Sequence, residues 1–169
     1  KAAFRGFGSG KGPLEIYGCS SSNKIEGTIF LGAGFKDVTV GGVVKNIDFR
    51  FMKNLDMEKF KDDELNQSFD YDYSRVTGKL NIIDNTVETI GEEAFLGVNF
   101  DDRIHLGTVH TIKHDAFADC KKVKGGLVIP DTVTTMGERA FKKFAADSSE
   151  PGELIVRGYS ENDSAHTLG

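Results

Sequence analysis

Leu127-Val-Ile-Pro-Asp-Thr-Val-Thr-Thr-Met-Gly-Glu-Arg-Ala-Phe141 is the stretch that decides how this chain folds. Leu127, Val128 and Ile129 form a short apolar run in which the first and third side chains share one face of a strand and the second takes the other. Pro130-Asp131 stops the strand and turns it. Val133 to Met136 is a second apolar step, and Ala140-Phe141 closes the unit on a small residue followed by a large one. No strand this short is stable alone, so the unit needs copies of itself to pack against.

The copies are present. Ile90-Gly-Glu-Glu-Ala-Phe95 recurs as Ile112-Lys-His-Asp-Ala-Phe117 and as Met136-Gly-Glu-Arg-Ala-Phe141. A Val precedes each step, at Val87, Val109 and Val133, and short alternations follow as Ile104-His-Leu106, Leu127-Val-Ile129 and Leu154-Ile-Val156. The same grammar runs backward. Ala3-Phe4 leads to Leu14-Glu-Ile16, and Ile25-Glu-Gly-Thr-Ile-Phe30 leads to Val38-Thr-Val40. Val44 to Ile47 leads to Phe51. The acidic stretch 52–79 reads as an insertion or as a worn copy. The spacing of Phe51 and Phe95 favours the copy, with Leu55-Asp-Met57 as strand, Leu65 as step and Phe69 as marker before Leu80-Asn-Ile82. The marker series is then Phe4, Phe30, Phe51, Phe69, Phe95, Phe117 and Phe141.

A period of roughly 23 residues with these contents predicts a solenoid of short stacked strands, with turns and single helical turns at the Ala-Phe positions. The chain reads as one solenoid domain over 1–169, regular over 80–158 and degenerate over 1–79. Each marker Phe fills the interior of its coil, which accounts for 13 Phe beside no Trp. The Ala before it lets the backbone approach the neighbouring coil. Gly91 and Gly137 suit a positive φ at a tight corner.

These residues resemble the BspA-type leucine-rich repeat family. Its pattern is an apolar-x-Ile-Pro strand, a Val-Thr-x-Ile-Gly step, Ala-Phe, and a polar turn often carrying Cys. Leu127 to Phe141 follows that pattern nearly throughout, and Ala116-Phe-Ala-Asp-Cys120 follows the turn. Pro is lost from the strands except at Pro130, and Ala is lost at several markers. The resemblance implies a leucine-rich-repeat solenoid on a secreted or cell-surface microbial protein, located extracellularly or at the cell surface. It also implies adhesion to host proteins, other cells or carbohydrate, and a core position for Cys120.

Composition narrows the function. With 38% hydrophobic and 28% charged residues the chain suits a soluble folded domain. Its net charge of −5 argues against nucleic acid, which needs a basic face. No apolar run reaches the length of a membrane span. Two cysteines make no disulfide framework, and Cys19 and Cys120 lie in distant repeats. Lys1 sits almost at a marker and 158–169 is polar. Further repeats before Lys1, or end-to-end self-association through uncapped coils, are expected from that.

Several motifs point to chemistry and fall short of it. Gly6-Phe-Gly-Ser-Gly-Lys-Gly12 lacks the glycine and the Ser or Thr of a phosphate loop. Asp70-Tyr-Asp-Tyr-Ser74 lacks the glycine and terminal Glu of a calcium loop. His110 and His114 have zinc spacing only on a helix, whereas they and His105 fall in repeat steps. No Ser/His/Asp grammar stands out, so neither catalysis, cofactor nor metal is expected. Asn66-Gln-Ser68 and Asn162-Asp-Ser164 are glycosylation sequons, relevant only in a eukaryotic secretory route.

A ligand site follows from the alternation. The middle residues of the triplets point outward, giving a column of Glu15, Thr39, Asn81, His105, Val128 and Ile155, with Asp56 if the worn copy is a coil. Tyr17 and Arg157 flank it two residues on. The binding candidates are Glu15, Tyr17, Thr39, Asn81, His105 and Arg157, for a protein or carbohydrate ligand. A structural spacer, or an accessory domain of a larger surface enzyme, is the alternative.

Overall fold

The computed structural model describes residues 12–18, 24–25, 30, 35–48, 51, 78–150, 152–157 and 167–168. The triplets form the odd-numbered strands: β1 (Leu14–Ile16), β3 (Val38–Val40), β5 (Leu80–Ile82), β7 (Ile104–His105), β9 (Leu127–Ile129) and β11 (Leu154–Val156). The apolar steps form the even-numbered ones as far as β10: β2 (Lys24–Ile25), β4 (Asn46–Ile47), β6 (Thr89–Ile90), β8 (Thr111–Ile112) and β10 (Thr135–Met136); β12 (Thr167–Leu168) adds a sixth that sequence reasoning missed, because 158–169 reads as too polar to pack like a coil. Each set makes one six-stranded parallel sheet, in the orders β1-β3-β5-β7-β9-β11 and β12-β10-β8-β6-β4-β2. Every turn of the chain therefore adds one strand to each sheet. The result is a parallel β-solenoid with a leucine-rich-repeat grammar.

Register explains the core. Leu80 sits opposite Ile104, and Ile104 opposite Leu127, so like residues stack in columns. The inward columns, with Ile47, Ile90 and Ile112 from the second sheet and Val44, Val87 and Val109 from the corners, are almost wholly withdrawn from solvent. Each buried aliphatic side chain contributes roughly 1.5–3 kcal/mol by area.

The phenylalanines form the third wall. Phe95 stacks on Phe117 with ring centroids 5.1 Å apart and planes 12° apart, and Phe117 on Phe141 at 5.4 Å and 3°. Phe30, Phe51 and Phe95 continue the row edge to face, at 5.4 and 5.7 Å. Phe35, Phe100 and Phe144 add a second ring against Phe30, Phe95 and Phe141 respectively. Cys120 is buried here as the family pattern implies, its thiol donating to the Phe95 carbonyl at 3.2 Å. Burial pushes that thiol's pKa far above its usual value, so it packs as a small apolar group.

Three expectations need correction. No coil stands between that of Phe51 and that of Phe95 in either sheet. β3 pairs directly with β5 and β4 with β6, and Phe51 touches Phe95. An inserted coil would separate each pair by two strand spacings, roughly 9.5 Å instead of about 4.8 Å. Asp56 and Phe69, which the worn copy would set in the outward column and the ring row, lie outside the described residues. Residues 52–77 lie outside the described residues, as do Phe4, Cys19, both sequons and the Asp70–Ser74 motif.

The Ala-Phe segments are also not helical. They are chained turns, with Ala94 N–H donating to Gly91 O, Leu96 to Glu93 and Val98 to Phe95. Glu93, Asp115 and Arg139 hold φ of 52°, 51° and 59°, and a left-handed residue breaks a right-handed helix. The compensation lies between coils. The N–H groups of Glu93, Phe95 and Gly97 donate to the carbonyls of His114, Ala116 and Ala118, and those of Asp115, Phe117 and Asp119 to Glu138, Ala140 and Lys142. A helix would have kept these groups within one coil.

Finally, Gly91 and Gly137 lack positive φ; the left-handed residue comes two positions later. Their missing side chains serve close approach. A Cβ on Gly137 would stand 2.3 Å from the His114 nitrogen, and one on Gly91 2.6 Å from the Ile47 oxygen. Lys113 holds the matching place in the intervening coil, so the close approach belongs to the glycine-bearing coils alone.

Phe117→Ala is expected to cost about 3–5 kcal/mol in chemical denaturation, because the ring is stacked on both sides. An unchanged midpoint would show that the ring row does not hold the coils together. Gly137→Val should lower the midpoint as well, by about 1–3 kcal/mol from forced backbone displacement.

Candidate functional site

The outer face of the first sheet is a ladder one residue wide. Glu15 lies opposite Thr39, Thr39 opposite Asn81, Asn81 opposite His105, His105 opposite Val128, and Val128 opposite Ile155. The column drawn from alternation is thus continuous in register. Glu15 and His105 are exposed, and the other four half-buried by their neighbours.

Two flanking columns share this face. On the side where strands end stand Tyr17, Gly41, Ile83, Gly107, Pro130 and Arg157. Ile83 leans over Gly41, where a Cβ would lie 2.6 Å from its Cδ1. Tyr17 is 51% exposed and lies at the edge coil. On the side where strands begin stand Asp37, Lys79, Arg103 and Glu153. Sequence reasoning picked Tyr17 and Arg157 but passed over Ile83, Pro130, Lys79 and Arg103. The same period of two, applied on both sides of every middle residue, would have found them.

The face is polar at its centre and apolar towards one end. His105 Nε2 stands 3.5 Å from Asp84 Oδ1 across the turn of the preceding coil, an exposed pair of small energetic consequence. Val128, Ile155 and Pro130 form the apolar end. On β11, Leu154 and Val156 occupy inward positions yet are 52% and 47% exposed, because β11 is an edge strand.

The three histidines do not converge. His105 lies on the first sheet, His110 precedes β8 on the second, and His114 sits in the marker turn. Among the described residues no group of three His, Cys, Asp or Glu side chains is placed to hold a metal ion. His114 belongs to a charged clamp between coils. Arg139 donates from Nε to Asp115 Oδ1 at 3.0 Å and from Nη2 to Asp115 Oδ2 at 2.9 Å. The same Nη2 lies 2.6 Å from His114 Nε2, which must accept and so leaves the ring proton on Nδ1. Nδ1 stands 3.1 Å from Asp115 Oδ2. The guanidinium's hydrogen bonds hold the Asp115 carboxyl below its ordinary value, against a smaller opposing effect of burial.

The second sheet presents outward Asn46, Thr89, Thr111 and Thr135 in register, with a Lys45–Glu88 ion pair beside them at 3.0 Å. Short side chains make this face flat and uniform.

Parallel strands in two ladders, a buried phenylalanine row and repeating turns define a leucine-rich-repeat solenoid. A family profile for the BspA type leucine rich repeat region matches the chain in six copies, over residues 15–124 and 66–149. The chain belongs to that family. No curated protein and no solved structure matches it. No helix among the described residues is long and apolar enough to cross a membrane.

The clamp has a pH signature. A carboxyl whose folded pKa is depressed adds stability above its unfolded pKa and loses that contribution as pH falls through the folded value. Arg139→Met should therefore lower the Tm at neutral pH. The difference from wild type should shrink as pH drops below about 4. A difference that stays constant down to about pH 2 would mean that the pair contributes through packing alone.

Proposed function

We propose that this chain is a non-catalytic binding module of a secreted or cell-surface protein, with the outer face of the first sheet as its contact surface. The observation that carries this reading is the unbroken outward ladder from Glu15 to Ile155. A continuous parallel sheet offers an extended surface whose residues vary while the coil beneath is maintained, and repeat proteins bind along such surfaces. Glu15, Tyr17, Thr39, Asn81, His105 and Arg157 make the contacts, with Tyr17 and Arg157 as the residues of largest contact area. Adhesion to host protein, other cells or carbohydrate is the activity this supports, and family membership is the second support.

End-to-end self-association is a second reading, favoured by the half-exposed Leu154 and Val156. Sedimentation velocity over a concentration series tests it, and Leu154→Glu should abolish any concentration dependence.

The principal test is the triple variant Tyr17→Ala, His105→Ala, Arg157→Ala, assayed for attachment to cells and to matrix-coated surfaces. Attachment is expected to fall while circular dichroism and Tm stay near wild type, since all three side chains are exposed. Attachment that persists with the fold intact would remove this face as the adhesive surface.

A further inference from the structure

The strand-start side of the same face carries two cations side by side. Leu80 pairs with Ile104, so Lys79 and Arg103, one residue earlier on each strand, are direct neighbours about one strand spacing apart, roughly 4.8 Å. Both point outward by alternation and both are exposed. Neither side chain has an ion-pair partner among the described residues. Asp37 stands beside Lys79 in the same flanking column and accepts its backbone N–H through Oδ1 at 3.1 Å, and Asp102 Oδ1 accepts that of Arg103 at 2.6 Å, but neither carboxylate forms an ion pair with the cationic side chain. The neighbouring position on the next coil is Gly126, which has no side chain to cover Arg103 from that side.

Across the sheet the character changes. Asn81 and His105 occupy the middle column, and Ile83 and Pro130 lie on the strand-end side. A partner following the ladder along the solenoid axis therefore meets unpaired positive charge on one side and apolar surface on the other. Asn81 offers amide donor and acceptor groups between them.

Resting on the reading of this face as the contact surface, we infer that its partner is an extended polypeptide segment with acidic residues, whose carboxylates meet Lys79 and Arg103 while its apolar side chains lie on Ile83 and Pro130. Arg103 suits bidentate carboxylate recognition, and Lys79 supplies a point charge beside it. A neutral glycan would leave both cations unsatisfied. The chain as a whole is acidic, with net charge −5, so affinity for an anion requires this local pair and cannot come from the overall field.

Fluorescence anisotropy with a labelled oligo-L-glutamate peptide tests this, with oligoglutamine and a heparin fragment as comparison probes. Wild type is expected to bind oligoglutamate, more weakly as salt rises, and oligoglutamine little. Lys79→Glu with Arg103→Glu should weaken binding by about tenfold or more. The control pair Lys113→Glu with Lys143→Glu, which makes the same charge change on other faces, should leave it within about twofold. Equal losses in both pairs would reduce the effect to net charge and overturn the proposal. Heparin binding through Lys79 and Arg103 without oligoglutamate binding would overturn it in favour of a sulfated glycan. If neither probe binds while attachment still depends on Tyr17, His105 and Arg157, the acidic-partner inference fails and the binding face stands.

Discussion

Everything in this structure depends on one contact repeated along the axis: a marker phenylalanine ring lying against the ring of the next coil. Phe95, Phe117 and Phe141 are the clearest case, at 5.1 and 5.4 Å with nearly parallel planes. Ring stacking adds about 0.5–1.5 kcal/mol per pair beyond area burial. Its larger effect is geometric. A flat ring at the corner fixes the spacing of the coils, and that spacing lets N–H groups of one marker turn reach the carbonyls of the next. The left-handed residues Glu93, Asp115 and Arg139 are conformations an isolated chain disfavours. They persist because the inter-coil bonds and the buried ring above them outweigh the local cost.

Two consequences follow from a core made of columns. Stability is close to a sum of coil and interface terms, so local damage weakens neighbours first. And successive coils need not be of equal length. Val38 and Leu80 are 42 residues apart along the chain, β4 and Phe51 included, yet the two strands pair in register. The entropic cost of a longer connection grows only logarithmically with its length, so the extra residues are tolerated.

This longer coil marks the boundary of what the sequence discloses. The Phe markers, triplets and steps were legible because burial enforces their residue types, and among the described residues each triplet and step forms a strand where periodicity assigned it, although β7 stops at His105, one residue short of its triplet. The copy at 55–69 was plausible on spacing alone: 44 residues from Phe51 to Phe95 fits two periods. Spacing counts residues without asking whether they are needed to bridge two coils, and only the direct pairing of β3 with β5 answers that. The turns failed for another reason. Ala-Phe runs flanked by Glu and Lys favour a helix by propensity, whereas the bonds that decide their conformation come from the neighbouring coil, a full period away along the chain. The glycines show the same limit. A small residue signals need for space or for positive φ, and sequence does not separate the two.

The candidate face was legible in its column and not in its breadth. Middle positions follow from alternation within three residues, so Glu15, Thr39, Asn81 and His105 can be placed from the sequence alone. Lys79 and Arg103 precede the apolar triplets and look like ordinary flanking charges until register sets them side by side. What distinguishes them is adjacency, since register makes them direct neighbours and neither has an ion-pair partner among the described residues. Lys45 faces Glu88 and Arg139 faces Asp115, both pairs bridging coils on the other walls of the solenoid. On the first sheet, Asp37 and Asp102 instead turn to backbone N–H groups. Lys79 and Arg103 stand side by side on the face that carries the outward column. Like charges directly opposite on paired strands cost stability, and an anion lying between them would relieve that cost.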